Sequence, residues 1–468
     1  MAVDQQHPQY EKIINDYNLV QDVLSEHVES YLIDLNPSDI SHEMRTRRQQ
    51  YTERAVFYNI LSATIQGLQG ALFYREPSFD APSELDYLRY NADGSGNSLN
   101  QVVFGLANDV LAYGRAGVYV SFPIVPEGRT ISAEDVQSGK YSARINRVPP
   151  QSIINWATLF RDGVKKLSYV SIHEHSAEFD FESREFTEFE RIREMFLDDE
   201  GIYNEIHWVK LENDFEIEFE DQPTDARGEF LTSIPFYFVG CENNDSDVDT
   251  PPLLGLAKLN IAHYRNSADF EDSVYQCGQA QPYISGLTSS HIKLMTEHGM
   301  YWGSKEIIGV PEHGSIGIVQ AQPNPLVRQA MLDKLEIMIG LGARLIQPTT
   351  QNKTATQAHG ERIAQNSLLV RVAHNISDAI HHALELCAQY QTPRPVHPTE
   401  YEYHIDNDFG FSELKPEELR EIIAGYLKGI VPVNDFISHM KKNQIFDKST
   451  TDEEYSSLLT NQSNINNL

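Results

Sequence analysis

The fold is decided by residues 250–390, a region that opens with Pro251-Pro252-Leu253-Leu254-Gly255-Leu256-Ala257. Apolar residues then recur at three- and four-residue steps as far as Tyr275, and this spacing is the period of an amphipathic helix. A second helical pattern follows Pro325 and ends near Leu345, and a third reaches Tyr390. The region therefore predicts three helices, and the breaks between them need an explanation.

The first break, residues 277–322, has the character of a small α/β insertion. It contains the helical run His291-Ile292-Lys293-Leu294-Met295 and three short β-like runs, which are Pro282-Tyr283-Ile284-Ser285, Ile307-Ile308-Gly309-Val310 and Ser315-Ile316-Gly317-Ile318-Val319. Two helices that carry such an insertion form a hairpin, and its tip is a natural place for a partner to dock.

The second break is a polar run, Gln347-Pro348-Thr349-Thr350-Gln351-Asn352-Lys353-Thr354. From the residues alone its simplest interpretation is an ordinary turn between helices. It lies in a stretch, residues 320–371, where basic side chains outnumber acidic ones. The basic residues are Arg328, Lys334, Arg344, Lys353, Arg362 and Arg371, and the acidic ones are Asp333, Glu336 and Glu361.

Composition limits the possible functions. The chain has 468 residues and a formal net charge of -31, so most of its surface repels phosphate backbones and a general nucleic-acid binder is excluded. A DNA contact must therefore be local. Three cysteines, an odd number, favour a reducing compartment over a disulfide framework. No apolar run approaches a membrane span and no signal sequence is evident, so we expect a soluble protein that is not secreted.

The first part of the chain reads as mostly helical from residue 10 to 76. Arg45, Arg47, Arg48 and Arg54 precede a helix whose apolar face is expected to run from Phe57 to Leu68 and to stop at Gly70. We interpret these arginines as a solvated helix face or as ion pairs between subunits. We expect next a flexible turn at 93–97 and a helix that is capped by Ser98 and runs from Leu99 to Tyr113. A strand from 118 to 123 is expected to follow.

Residues 174–221 alternate apolar and acidic side chains, which is the two-residue period of an antiparallel sheet with one solvated face. They hold eighteen acidic residues against four basic ones, so nearly half of the excess negative charge lies here. We interpret the charge as a sheet face turned away from DNA. The alternative is a carbohydrate-active site that uses two of the carboxylates. His173 and His175 share one strand face, but spacing suggests no third metal ligand.

The common hydrolase signatures are missing. There is no Gly-Lys-Ser/Thr phosphate loop, no Gly-x-Ser-x-Gly elbow and no His-Glu-x-x-His. We therefore expect neither an enzyme, nor a cofactor, nor a bound metal.

The chain as a whole resembles the portal proteins of tailed double-stranded DNA bacteriophages, most closely a branch often described as a phage domain of unknown function. The resemblance covers most of the chain. The residues that carry it are Arg54-Ala55-Val56-Phe57-Tyr58-Asn59, Gly70-Ala71-Leu72-Phe73-Tyr74-Arg75-Glu76-Pro77, Tyr113-Gly114-Arg115-Ala116-Gly117-Val118-Tyr119-Val120, Pro251-Pro252-Leu253-Leu254-Gly255-Leu256-Ala257 and Asn260-Ile261-Ala262-His263-Tyr264.

This resemblance implies an α+β fold and a head-to-tail connector ring of twelve copies around a DNA channel. Its implied parts are a mixed wing, a two-helix stem, a small α/β clip, a long wing helix and a helical crown. On this chain they correspond to a wing at 1–250 with an acidic antiparallel sheet at about 168–239, a first stem helix at 251–276, a clip at 277–322, a second stem helix at 323–343, a tunnel loop at 344–356, a long wing helix at 357–391, a wing strand at 392–411 and a crown at 412–468.

The resemblance also implies functional residues. The tunnel loop that faces DNA would be formed by Arg344, Gln347, Thr349, Thr350, Gln351, Asn352, Lys353 and Thr354. The stem would present Arg328 and Lys334 to the channel, and the clip would dock partners through His291, Lys293, Glu297, Lys305 and Glu306. Neutral polar side chains suit a channel in which DNA slides, because each phosphate neutralised by Lys or Arg adds affinity.

The implied partners are other copies of the chain, double-stranded DNA bound without sequence preference, the terminase motor, the head-tail adaptor and the major capsid protein, with no membrane. The implied location is the portal vertex of the virion, after assembly in the host cytoplasm. Another viral ring component, such as a head-tail adaptor or a baseplate protein, is the alternative from a neighbouring class.

Overall fold

The computed structural model describes residues 3–123, 141–161, 163–211, 214–279, 281–298, 310, 312–320, 325–346, 355–395 and 397–406, together with single positions between 420 and 437. The chain divides into two compact units. The first consists of Met1–Leu72 and Pro77–Ile405, and the second of Phe73–Glu76 and Asp406–Leu468. In the second unit Arg75 pairs with Asp406 at 2.9 Å, and Phe436 and Ile437 are buried. The expected crown helices lie mostly outside the described residues.

Three helices open the first unit: α1 (Pro8–Leu24), α2 (His42–Arg54) and α3 (Ile60–Leu72). His7 and Ser41 cap α1 and α2, because each side chain accepts a backbone N–H of the first turn. The helix expected to include Phe57 begins only at Ile60 and continues past Gly70. Phe57 instead precedes it and packs edge-on against Tyr264, with ring centroids 5.4 Å apart.

A short strand, β1 (Ser78–Asp80), leads to α4 (Leu99–Tyr113), which has the expected bounds. Ser98 and Gln101 form a capping box at its start, and Gly114 ends it with φ of 79°. A side chain at Gly114 would be strained by this φ. Its Cβ would also lie 2.8 Å from the carbonyl oxygen of Thr250, so the position requires glycine.

Two antiparallel sheets follow. The three-stranded sheet has the order β3 (Arg144–Val148), β2 (Arg115–Ser121), β9 (Phe236–Gly240). The five-stranded sheet runs in chain order through β4 (Ile153–Arg161), β5 (Val164–Phe179), β6 (Phe186–Leu197), β7 (Tyr203–Leu211) and β8 (Asp214–Asp221). It confirms the antiparallel reading of the acidic segment. It begins before the expected residue 168, because β4 pairs with β5, and it ends before the expected residue 239, because β9 pairs with β2 instead.

The expected solvated face does not include Glu205. This side chain is 6% exposed. It accepts hydrogen bonds from Tyr119 Oη of β2 at 2.9 Å, Tyr203 Oη at 2.5 Å and Arg193 Nη1 at 2.6 Å. The sheets are therefore joined by a buried carboxylate with its charge paired.

The remaining elements are α5 (Leu254–Gly278), β10 (Gln281–Ile284), α6 (Ser289–His298), β11 (Ile316–Val319), α7 (Pro325–Ile346), α8 (Ala355–Gln391) and β12 (Glu402–His404). The buried side of α8 carries Leu369, Val372, Ile376, Ile380 and Leu384 and packs on β2, β9, β12 and α4. In the described ranges no helix combines the length and apolar character that a membrane crossing demands, and all three cysteines are free.

Candidate functional site

The candidate site is the helical hairpin formed by α5 and α7 with the insertion at its tip. The two helices pack side by side and run antiparallel. Lys334 of α7 meets Asn266 in the middle of α5, and Gln320, just before α7, donates to the carbonyl oxygen of Cys277 at the end of α5 at 2.8 Å. The sequence pattern predicted both helices, and their observed bounds agree with it to within a few residues.

The last turns of α5, which lead to the tip of the hairpin, are held by α2. Arg47 forms a bidentate pair with Asp272 of α5, with both N–O distances 2.5 Å, and Tyr51 Oη donates to Asp269 at 2.7 Å. The hydrogen bonds from Arg47 lower the pKa of Asp272. Arg54 lies 3.6 Å above the ring of Tyr275.

The interpretation of the four arginines is therefore corrected. Arg47 and Arg54 bind α5 of the same chain, and Arg48 pairs with Asp34 at 2.5 Å. Arg45 is exposed. The partners lie up to 225 residues away, so no local pattern could have indicated them.

A buried histidine lies at the contact between α5 and α7. His263 is 1% exposed, and neither of its ring nitrogens has a hydrogen-bond partner among the described residues. The ring of Tyr58 packs edge-on against it at 5.6 Å. Burial lowers the pKa of His263, and the positive charge of Lys334 lowers it further. The imidazole is consequently held neutral.

The two stem residues expected to face a channel differ in their surroundings. Lys334 turns toward α5 and donates from Nζ to Asn266 Oδ1 at 2.5 Å, so its ammonium is partly buried within this chain. Arg328 is exposed on the first turns of α7. The channel role of both residues stays a prediction.

The apolar side chains of α7 are largely uncovered. The helical pattern of α7 is carried by Leu326, Ala330, Leu335, Ile337, Met338 and Leu341, and of these only Met338 is fully buried. More than a third of the surface of five α7 side chains is exposed, namely Leu326, Leu332, Ile337, Ile339 and Leu341. Helical periodicity shows which side chains are apolar but not whether a neighbour covers them.

The tip contains an antiparallel pair, β10 with β11, and the short helix α6. Lys293 and Glu297 lie one turn apart on α6 with their charged groups 3.9 Å apart. His291 Nδ1 lies 2.6 Å from Thr288 Oγ1 at the start of the same helix. Ile292 on α6 and Ile318 and Val319 on β11 are also exposed. Lys305 and Glu306, the other predicted docking residues, lie outside the described residues.

The predicted tunnel loop lies mostly outside the described residues, which include none of Gln347, Thr349, Thr350, Gln351, Asn352, Lys353 and Thr354. The backbone of Arg344 belongs to α7, and nothing is described of its side chain. Since α7 ends at Ile346 and α8 begins at Ala355, the connection between the helices is limited to 347–354.

The remaining chemistry-bearing groups form no assembled centre in the described ranges. No group of three His, Cys, Asp or Glu residues there is arranged to hold a metal, and the ring centroids of His173 and His175 lie 4.6 Å apart. Burial by itself would raise the pKa of Glu205. The hydrogen bond from His207 and the charge of Arg193 outweigh burial and lower this pKa to about 2.

Comparison with known proteins finds one family. The model of a family described as "Domain of unknown function (DUF4055)" matches residues 252–391, which contain the hairpin, its tip and α8. No curated protein matches the chain.

Three solved structures from a gene transfer agent (GTA) particle are similar to it. One, from the neck of the native particle computed with C12 symmetry, has 11% identity and a TM-score of 0.40 and covers 86% of this chain and 92% of that chain. A chain from the virion of the native particle has 12% identity and a TM-score of 0.40, covering 79% and 85%. A chain from the neck of the empty particle, computed with C6 symmetry, has 10% identity and a TM-score of 0.38, also covering 79% and 85%. At these values the likeness carries no conclusion about function.

Proposed function

We propose that the chain is a portal-type subunit, a non-enzymatic protein whose copies form a ring around a channel for duplex DNA at one vertex of a phage-like capsid. The observation that carries this proposal is the uncovered apolar surface of α7. Several exposed large apolar side chains on one helix mark a site of association. A second copy of the same hairpin is the simplest partner that would cover it.

The distribution of charge supports a local DNA contact. The chain carries a net charge of -31, yet residues 320–371 hold six basic side chains against three acidic ones. A ring that directed this segment inward would meet DNA there and repel it elsewhere. Gln347, Thr349, Gln351 and Asn352 can hydrogen-bond phosphates without releasing counterions, which would let the duplex slide.

The tip of the hairpin is the proposed docking point for the packaging motor and later for the tail adaptor. Lys293 and Glu297 are exposed on α6 beside the apolar Ile292. Charged groups around an apolar centre are the usual composition of a transient interface. The major capsid protein would surround the ring in the virion.

The alternative function is that of another viral ring component, such as a head-tail adaptor or a baseplate protein. Such a protein would also use the apolar hairpin for association, but it would not enclose DNA during packaging. A carbohydrate-active hydrolase is less favoured. The most buried carboxylate of the acidic sheet, Glu205, is held ionised by its partners, so it has no proton to donate to a leaving group near neutral pH.

The test is the mass of the purified 53.2 kDa chain over a range of concentration and salt, followed by imaging. We expect closed rings. Changing both Ile337 and Ile339 to Asp should abolish them, whereas changing Ile40, which is 73% exposed on a different segment, to Asp should not. A chain that stays monomeric throughout would overturn the proposal. Rings that never protect DNA from nuclease during packaging would favour the adaptor instead.

A further inference from the structure

An arm projects from the five-stranded sheet. Strand β4 pairs with β5 only as far as Ile172, and β7 pairs with β6 only from Arg191 onward. Residues 173–190, here called the arm, therefore form a two-stranded hairpin beyond the body of the sheet. A two-stranded hairpin gains little stability by itself in water, so the outer part of the arm would be stabilised by a partner.

The end of the arm is aromatic and acidic. Phe181 and Phe186 are 86% and 69% exposed, and Phe179 contacts both, with ring centroids 5.2 and 5.0 Å away. The arm carries seven carboxylates and one arginine. Three of the seven carboxylates, those of Glu174, Glu178 and Glu190, form ion pairs, and Asp180 accepts backbone N–H groups of the turn. The carboxylates of Glu182, Glu185 and Glu188 form no ion pair in the part of the chain that the structure describes. They are available to an outside partner.

A groove of opposite character lies at the other end of the same sheet. It has a volume of about 430 Å³ between the five-stranded and three-stranded sheets. Leu167, Leu197, Ile234 and Phe236 line it, and Lys165 and Lys166 are exposed at its edge. One carboxylate, that of Asp245, also contributes to the lining. The groove is large enough for an aromatic side chain.

The arm cannot enter the groove of its own chain. Lys166 and Phe179 lie at opposite ends of β5, separated by thirteen residues of strand, or about 43 Å at ~3.3 Å per residue. Because the two features are complementary in charge and both apolar at the centre, the occupant that fits the groove is the arm of another copy.

We propose that the arm of one copy docks in the groove of the next, with Phe181 or Phe186 in the cavity and the arm carboxylates against Lys165 and Lys166. This contact is head-to-tail, so its repetition generates a ring or a filament. The inference rests on the proposed function, which gives every copy two neighbours, and it adds a second contact far along the chain from the apolar surface of α7.

The experiment measures assembly by sedimentation over a concentration and salt series. Changing both Phe181 and Phe186 to Ala should raise the concentration at which half the chains assemble by about tenfold or more, since large aromatic anchors carry most interface energy. The matched control is Tyr90→Ala, an aromatic residue 75% exposed outside the arm. All of these side chains are exposed, so circular dichroism should show unchanged folding.

A charge exchange tests the pairing itself. Reversing Lys165 and Lys166 to Glu, or Glu182 and Glu185 to Lys, should each weaken assembly, and combining the four changes in one chain should restore it to within a few-fold. If the variant with all four changes assembled more weakly than either double variant, the inference would be overturned. Normal rings from the phenylalanine variant would also overturn it, and that result would leave the proposed ring intact.

Two further outcomes separate the two proposals. A wild-type chain that is monomeric under all conditions overturns the ring, and the arm contact with it. If rings form normally and the arm variants instead lose affinity for a synthetic amphipathic Lys/Leu peptide, the arm serves a different basic partner and docking between copies is overturned.

Discussion

The side chain of Asn260 caps the helix that begins at Ile60, although the two residues lie 200 positions apart in the sequence. Asn260 Oδ1 accepts the backbone N–H of Ile60 at 3.1 Å and that of Leu61 at 3.2 Å. Its Nδ2 donates to the carbonyl oxygen of Tyr58 at 2.7 Å. One buried amide on α5 therefore satisfies three backbone groups at the start of α3, and it fixes the hairpin to the N-terminal helices.

Replacing Asn260 with Ala should lower the free energy of unfolding by about 3 kcal/mol, because it leaves buried donors and an acceptor without partners. Urea denaturation followed by circular dichroism would measure the change. Asn18→Ala, at an exposed position of α1, is the control and should be nearly neutral. A loss of less than about 0.5 kcal/mol at Asn260 would mean that water replaces the amide.

Glu205 gives a prediction for acid stability. Its pKa in the folded chain is lowered from 4.5 to about 2, so the stability that it contributes is complete above pH 4.5 and is lost as the pH falls from 4.5 toward 2. Glu205→Gln should cost about 3 kcal/mol at pH 7, because it leaves Arg193 incompletely paired in a buried site.

The same substitution should flatten the decline in stability between pH 4.5 and pH 3. The measurement is the free energy of unfolding at pH 7, 4.5 and 3, with Glu220→Gln as the exposed control. If the free energy of unfolding of the Glu205 variant fell between pH 4.5 and pH 3 as steeply as that of the wild type, the lowered pKa of Glu205 would be contradicted.

His263 gives a prediction nearer neutral pH. Its folded pKa is lowered below 6.5, so the unfolded chain takes up a proton first as the pH falls. Stability is therefore full above about pH 6.5 and declines below it. His263→Gln should reduce the decline between pH 7.5 and 5.5 by about 1 kcal/mol, because one titrating group is removed.

Thermal or urea unfolding at both pH values measures this difference. His404→Gln, at an exposed position of β12, should leave the decline unchanged. Lys334→Met should raise the pKa of His263, since it removes the neighbouring positive charge, and so should make the decline shallower. A steeper decline in that variant would show that Lys334 does not act through charge.

The loop between α7 and α8 gives a prediction about DNA. Changing both Gln351 and Lys353 to Ala should reduce the packaging or retention of DNA several-fold while rings still assemble, because fewer groups contact the phosphates. Nuclease protection of packaged DNA and particle mass are the two measurements. Loss of rings would show instead that this loop is a contact between subunits.

The helix pattern was predictable because its signals are local. The Ser98 cap and the apolar period to Tyr113 predicted α4 with the bounds that the structure has. Alternation predicted the acidic sheet in the same way, since a two-residue period needs no knowledge of neighbours. The start of α3 was predicted too early, because Asn260 rather than a nearby residue supplies its cap.

The order of the main helices and strands, the acidic character of the sheet and the positive segment at 320–371 follow from residue type and spacing, so they can be predicted without the fold. The pairing of Arg47 with Asp272, the burial of Glu205 and the exposure of the apolar side chains of α7 follow from the packing of the folded chain. Each of these facts depends on which distant segments pack together. Burial and pairing are properties of that packing, so the same side chain can form part of a core, an ion pair or an interface.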